Sequence, residues 1–99
     1  MAAYVVALLD VTDTAAYEPY KAAAPPTVTA AGGRYVARAP TSDVVALEGQ
    51  HDGRRLVILE FPSIQAAKEW YSGEEYERAR ELRKGSARNV TFLLVPGVS

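Results

Sequence analysis

Residues 4–9, Tyr-Val-Val-Ala-Leu-Leu, offer no polar face to either side of a β-strand. Side chains alternate across a strand, so Val5, Ala7 and Leu9 point one way and Tyr4, Val6 and Leu8 the other. A strand that is apolar on both sides belongs inside a sheet with something covering each face. That requirement constrains the chain strongly, because 99 residues supply a single core and leave no second domain to do the covering. The chain is read as one domain over residues 1–99.

The remaining elements follow from local signals. Thr12-Asp13 predicts a helix start, with Asp13 accepting from a free amide of the first turn. Helical character runs over 13–31, disturbed by Pro19 and by Pro25-Pro26, and stops at Gly32-Gly33. Arg34–Arg38 reads as a second strand, with Arg34, Val36 and Arg38 on one face and Tyr35 and Ala37 on the other. β character resumes at Val44–Glu48, and Gly49–Gly53 is a turn by composition. Arg55–Phe61 is the clearest strand, followed by a Pro62-Ser63 helix start. The spacing of Ser72 and Glu75 predicts a capping box at a helix break, where hydroxyl and carboxylate each satisfy a backbone amide. Helix then runs to about Arg83, and Asn89–Val95 is the last strand.

The order is βαββαβ, the split βαβ arrangement of ferredoxin-like α+β folds: a four-stranded antiparallel sheet with both helices on one face. Its other face stays bare. Tyr4, Val6, Leu8, Leu56 and Ile58 make that face too apolar for the few hundred Å² that monomers tolerate. Covering it at about 25 cal/mol per Å² favours association, so a homodimer joined through the sheet face is expected.

Composition mostly excludes. A net charge of −1 gives no field to attract nucleic acid or an anionic membrane. The chain has no Cys and one His, which leaves neither a thiolate nor a multi-histidine metal centre. No metal or cofactor is expected. There is no phosphate-binding glycine loop. No apolar run approaches the roughly 20 residues of a membrane span, and no secretion signal is read, so a cytoplasmic protein is expected.

Ala31-Gly32-Gly33-Arg34-Tyr35-Val36-Ala37-Arg38, Leu47-Glu48-Gly49, Leu59-Glu60-Phe61-Pro62-Ser63, Ala66-Ala67, Trp70-Tyr71, Glu75-Tyr76 and Arg83 occur in this order. The set resembles bacterial domain of unknown function family 1330 over nearly the whole chain, departing mildly at Glu18-Pro19. The resemblance implies a dimeric α+β barrel. That superfamily includes small cofactor-free monooxygenases, cyclases, haem-degrading enzymes and plain binding proteins.

Three ionisable residues lie on or beside apolar strands: Arg38, Glu48 and Glu60. Each needs a partner or water. Either they floor a pocket between sheet and helices, with Arg38 holding a carboxylate or enolate and a glutamate moving a proton, or they brace strand register. Tyr17, Tyr20, Tyr71 and Tyr76 are candidate substrate-binding residues, because a buried tyrosine hydroxyl seeks a polar neighbour. Arg83 either completes an anion site or favours the helix C-terminus. His51 reads as a turn residue. The expected function is a cofactor-independent small-molecule enzyme (isomerase, cyclase, lyase or monooxygenase-like) acting on a small carboxylate or phenolic ligand. The alternative is a non-catalytic binding or structural homodimer.

Overall fold

Asp13 and Ser63 start helices as the sequence predicts. The Asp13 carboxylate accepts from the Ala16 amide at 3.0 Å, and the Ser63 hydroxyl accepts from the Ala66 amide at 3.0 Å. The computed structural model describes residues 1–98. Its elements are β1 (Ala3–Val11), α1 (Thr14–Ala30), β2 (Arg34–Ala39), a 3-10 turn (Thr41–Asp43), β3 (Arg55–Phe61), α2 (Ile64–Ser72), α3 (Glu74–Glu81) and β4 (Ala87–Pro96). The four strands form one antiparallel sheet in the order β2-β3-β1-β4. This is the expected ferredoxin-like α+β fold, with the second helix broken in two.

Helix α1 is a single assigned helix despite Pro19, Pro25 and Pro26. It ends at Gly32, whose φ of +82° suits glycine. Gly33 is needed for a different reason. A Cβ there would meet the Phe61 ring at 2.6 Å, so the chain can enter β2 against that ring only without a side chain.

The core lies between helices and sheet. Val5, Ala7, Leu9, Val57, Leu59 and Phe61 rise from the sheet to meet Tyr17, Tyr20, Ala24, Val28, Ala67, Trp70, Tyr76 and Ala79. Small alanines on β1 and on both helical layers leave room for the large rings. The sole tryptophan, Trp70, donates its Nε1 hydrogen to Thr27 Oγ1 at 3.0 Å and stacks on Phe61 and Tyr76, at 5.1 and 4.3 Å between ring centres.

Three local readings are corrected. First, Val44–Glu48 forms no strand: it is part of the connection after the 3-10 turn, with Val45 and Leu47 exposed. The β-branched residues there find no neighbouring strand to pair with. Second, the Ser72 capping box does not form. The Ser72 hydroxyl donates back to the Lys68 carbonyl at 2.9 Å, and Gly73 precedes α3 without a side-chain cap. Third, strict alternation fails in β2. The register shifts between Tyr35 and Ala37, so Tyr35 pairs with Leu59, Ala37 with Ile58 and Arg38 with Val57. Val36 is the extra residue of a β-bulge, and past it every side chain changes sides. Arg38 therefore shares the helix-covered face with Tyr35, while Arg34 remains on the other.

That other face is bare, as expected. Val6 pairs with Ile58 and Leu93, and Leu8 with Leu56, building an apolar centre. Leu93 is 55% exposed and Val95 44%. One end of this face carries a polar group: Arg34 Nε donates to Glu60 at 2.6 Å and the Tyr4 hydroxyl donates to the same carboxylate at 3.2 Å. At the other end Arg54 reaches across to the Asn89 carbonyl and the Thr91 hydroxyl, at 3.0 and 2.9 Å. Among the described residues no helix is long and apolar enough to cross a membrane.

Candidate functional site

The first turns of α1 and the facing ends of β2 and β3 enclose a narrow slot. Tyr17, Tyr20 and Lys21 line it from the helix, and Tyr35, Arg38 and Arg55 from the sheet, with Trp70 and Phe92 at its inner end. Its volume is about 30 Å³, close to the share of a single water molecule in the liquid. A wider mouth of about 240 Å³ shares Tyr17, Lys21 and Arg55 with the slot, opens past Pro40, Thr41 and Gly53, and also carries Asp10 and Glu18, paired with Arg88 and Lys21. The 3-10 turn is held there by the Thr41 hydroxyl, which donates to the Gly53 carbonyl at 2.6 Å.

The inner polar atoms come from three elements. The hydroxyls of Tyr20, on α1, and Tyr76, on α3, lie 2.7 Å apart in the core. The Arg83 guanidinium stands 5.4 Å from the Tyr20 ring centre and 5.5 Å from that of Phe92. The turn after α3 carries it there. Ser86 is fully buried, donates to the Arg83 carbonyl at 2.9 Å, and accepts the Thr12 amide at 2.8 Å through its own carbonyl. Arg83 Nε is buried without a hydrogen-bond partner among the described residues.

Electrostatically the slot is one-sided. Its lining contains Lys21, Arg38 and Arg55 and no acidic residue. Among the described residues, Arg38, Arg55 and Arg83 have no carboxylate within salt-bridge distance. Arg38 instead lies over the Tyr35 ring at 4.7 Å. Burial pushes the phenol of Tyr20 far above its ordinary range, reinforced by Tyr76. Burial likewise raises those of Tyr17 and Tyr35, against the nearby arginines. These hydroxyls stay protonated and can donate. Burial opposes the charge of Arg83, yet the hydroxyls of Tyr76 and Tyr20 outweigh it and hold its pKa above the usual value. The result is a set of hydrogen donors and fixed positive charges in which Lys21 has a counter-charge, Glu18, and Arg38 and Arg55 have none among the described residues.

Of the residues expected at a site, Tyr17, Tyr20 and Arg38 line this slot, and Tyr76 and Arg83 stand behind it through their contacts with Tyr20. Tyr71 does not. It is 39% exposed on the far side of Trp70, where it lines a separate groove. The expected floor of Arg38, Glu48 and Glu60 is not assembled. The bulge turns Arg38 to the covered face, Glu60 points to the bare face and binds Arg34, and Glu48 is exposed in the β2–β3 connection. The brace exists, but with Arg34 in the place foreseen for Arg38.

His51 is a turn residue, with Nε2 donating to the Arg54 carbonyl at 2.8 Å. Sequence reasoning missed Arg55, Tyr35 and Lys21 as lining residues. Arg55 was within reach: it has the same parity as Val57, Leu59 and Phe61 on β3. Among the described residues no group of three His, Cys, Asp or Glu side chains could hold a metal.

Residues 2–98 match the family described as domain of unknown function (DUF1330). No curated protein matches the chain. Among solved structures, the chain is similar to a protein of unknown function from Rhodopseudomonas palustris at 18% identity and a TM-score of 0.77, covering 99% of this chain and 83% of that one. It is also similar to SnoaB, a cofactor-independent oxygenase from Streptomyces nogalater: 12% identity, TM-score 0.68, 99% and 94% covered. A third is a dimeric ferredoxin-like protein of unknown function from Jannaschia: 14% identity, TM-score 0.67, 98% and 100% covered. At these identities the likeness is one of fold.

Proposed function

The chain belongs to the DUF1330 family, and from that premise we propose that it binds a small organic anion, a carboxylate or phenolate, with its charged oxygen in the tyrosine–arginine slot. The observation that carries this reading is Arg38 and Arg55 in the slot lining, with Arg83 behind the Tyr20 ring, and no carboxylate within salt-bridge distance of any of the three among the described residues. Arg55 and Arg83 are partly buried without a carboxylate partner, while Arg38 is exposed; leaving the first two unmatched costs stability, and an incoming anion would repay it. Tyrosine hydroxyls held in the protonated form add hydrogen bonds to the same oxygen.

On this reading the chemistry is that of a cofactor-independent enzyme of the isomerase, cyclase, lyase or monooxygenase-like kind. Preorganised donors stabilise negative charge as it builds on a carbonyl or phenolic oxygen. Arg38 and Arg55 hold the anion at the mouth side, and Tyr20 supplies a donor at the inner end, backed by its bond to Tyr76 and by the Arg83 charge behind its ring. Glu48 and Glu60 have no part in the slot of a single copy. The second reading, a binder without turnover, is favoured by one observation: the slot lining contains no carboxylate or imidazole to take a proton.

Two copies are proposed to pair through the bare sheet faces, which leaves each slot open on its own helical side. SnoaB is similar in fold, and the Jannaschia protein is described as dimeric; both are consistent with this picture.

The test is calorimetric titration of 4-hydroxybenzoate into the wild-type chain and into Arg38→Gln and Arg55→Gln variants. Each variant is expected to weaken binding by about tenfold or more without lowering the melting temperature. Binding that ignores both substitutions overturns the proposal. Turnover of a phenolic or quinone-like compound, lost in Tyr20→Phe, separates the enzyme from the binder.

A further inference from the structure

The slot is too small to contain an organic ligand, since about 30 Å³ admits little more than the oxygen atoms of a head group. The body of the ligand has to lie elsewhere. On the opposite side of Trp70 and Phe92, between α2 and β4, runs a groove of about 520 Å³, within the size range of small-molecule sites. Val5, Ala67, Leu94 and Tyr71 give it apolar walls, and Lys68 is the one charged residue in its lining.

Trp70 and Phe92 line both spaces. They are the wall between them, and the two rings are not equally fixed. Trp70 is buried, tethered to Thr27 and stacked on Phe61 and Tyr76. Phe92 is only partly buried. Its ring centre is 5.8 Å from that of Tyr71, 6.4 Å from that of Tyr76 and 5.5 Å from the Arg83 guanidinium, with no polar anchor of its own.

We infer that Phe92 is a specificity-determining partition. Its ring decides whether the apolar groove and the basic slot act as one elongated site, and the ligand it admits is a flat aromatic carboxylate or phenolate with an apolar body and one oxyanion end. This rests on the proposed anion reading of the slot. The charge pattern fixes the orientation, with the oxyanion toward Arg83 and the tyrosine hydroxyls and the apolar body toward Ala67 and Leu94.

The experiment follows quenching of Trp70 fluorescence, a single reporter placed in the wall itself. The acid pair is benzoate and the longer biphenyl-4-carboxylate; the neutral pair is phenol and 4-phenylphenol. Phe92→Leu and Phe92→Ala should raise affinity for the longer member of each pair by about tenfold, while the shorter stays within about threefold. Phe92→Trp, read by calorimetry because it adds a second tryptophan, should do the reverse to the longer member alone. Circular dichroism confirms that each variant is folded, and the leucine variant keeps the test available if the alanine variant unfolds. If long and short probes respond alike, or if the long probes leave Trp70 unquenched in every folded variant, the partition is overturned. The anion reading fails separately, when the acids bind no better than the phenols whatever the length dependence.

Discussion

Arg34 and Arg38 stand four residues apart on the same edge strand and meet opposite surroundings. Arg34, on the bare face, sits 2.6 Å from Glu60, which also accepts from Tyr4. Arg38, turned to the covered face by the bulge, has only the Tyr35 ring beneath it and shares its slot with Arg55 and Lys21. The first arginine has its charge answered within the chain. The second has no carboxylate of its own, beside an equally unpaired Arg55 and a Lys21 that Glu18 already pairs. An arrangement that serves only stability would place the carboxylate where the positive charges converge; this chain places it on the other side of the sheet. The covered face carries both the core and the unmatched charge, and the bare face carries an apolar surface with its own ion pair.

The largest break in that contrast should come from the core. Phe61→Ala, which empties a fully buried ring position against Gly33 and Trp70, is expected to cost about 3–5 kcal/mol in chemical denaturation. Its near neighbour on the bare face should behave differently. Ile58→Asp is expected to leave circular dichroism unchanged and to weaken pairing by about a hundredfold or more in sedimentation. A fold lost with Ile58→Asp, or pairing that survives it, would erase the distinction between the faces.

Alkaline pH probes the tyrosines of the covered face. Tyr17, Tyr20 and Tyr35 have phenol pKa values raised by burial, so the folded state holds protons that the unfolded state releases above roughly pH 10. Their contribution is complete below that point and falls as pH rises, by about 1.4 kcal/mol per pH unit for Tyr20. Phenolate absorbance should show these three titrating above the ordinary tyrosine range, together with unfolding. The smallest effect belongs to the bare-face pair. Glu60→Gln should change stability by no more than about 1 kcal/mol, because Arg34 is 72% exposed, and it should leave anion binding unaltered in the same calorimetric assay.

Much of this architecture was legible in the chain. The doubly apolar first strand, the Asp13 and Ser63 helix starts and the βαββαβ order follow from periodicity and capping, which are local. The bulge is not local. Nothing in Arg34–Arg38 announces that Val36 is surplus, because the register of an edge strand is fixed by its neighbour β3. One hidden residue therefore misassigned Arg38 and, with it, the supposed partnership with Glu60. Ser72 failed as a cap for a similar reason: its hydroxyl had a nearer acceptor in the Lys68 carbonyl of its own helix. The site was half legible. Tyrosines and Arg83 could be named from residue type and spacing, but the wall that Trp70 and Phe92 build between two spaces depends on ring placement from two distant elements.

The bulge also bears on how copies can meet. Both outer strands of the sheet are spoiled as templates for further strands: β2 by the displaced Val36 with Arg34 and Arg38 beside it, and β4 by Asn89 at a φ of 51° and by Pro96 near its end. Edge-to-edge growth, which has no natural stop and leads toward fibres, is thereby obstructed. Contact through a face uses up the sticky surface in one encounter, so a chain with guarded rims and an open flank is biased toward finite assemblies.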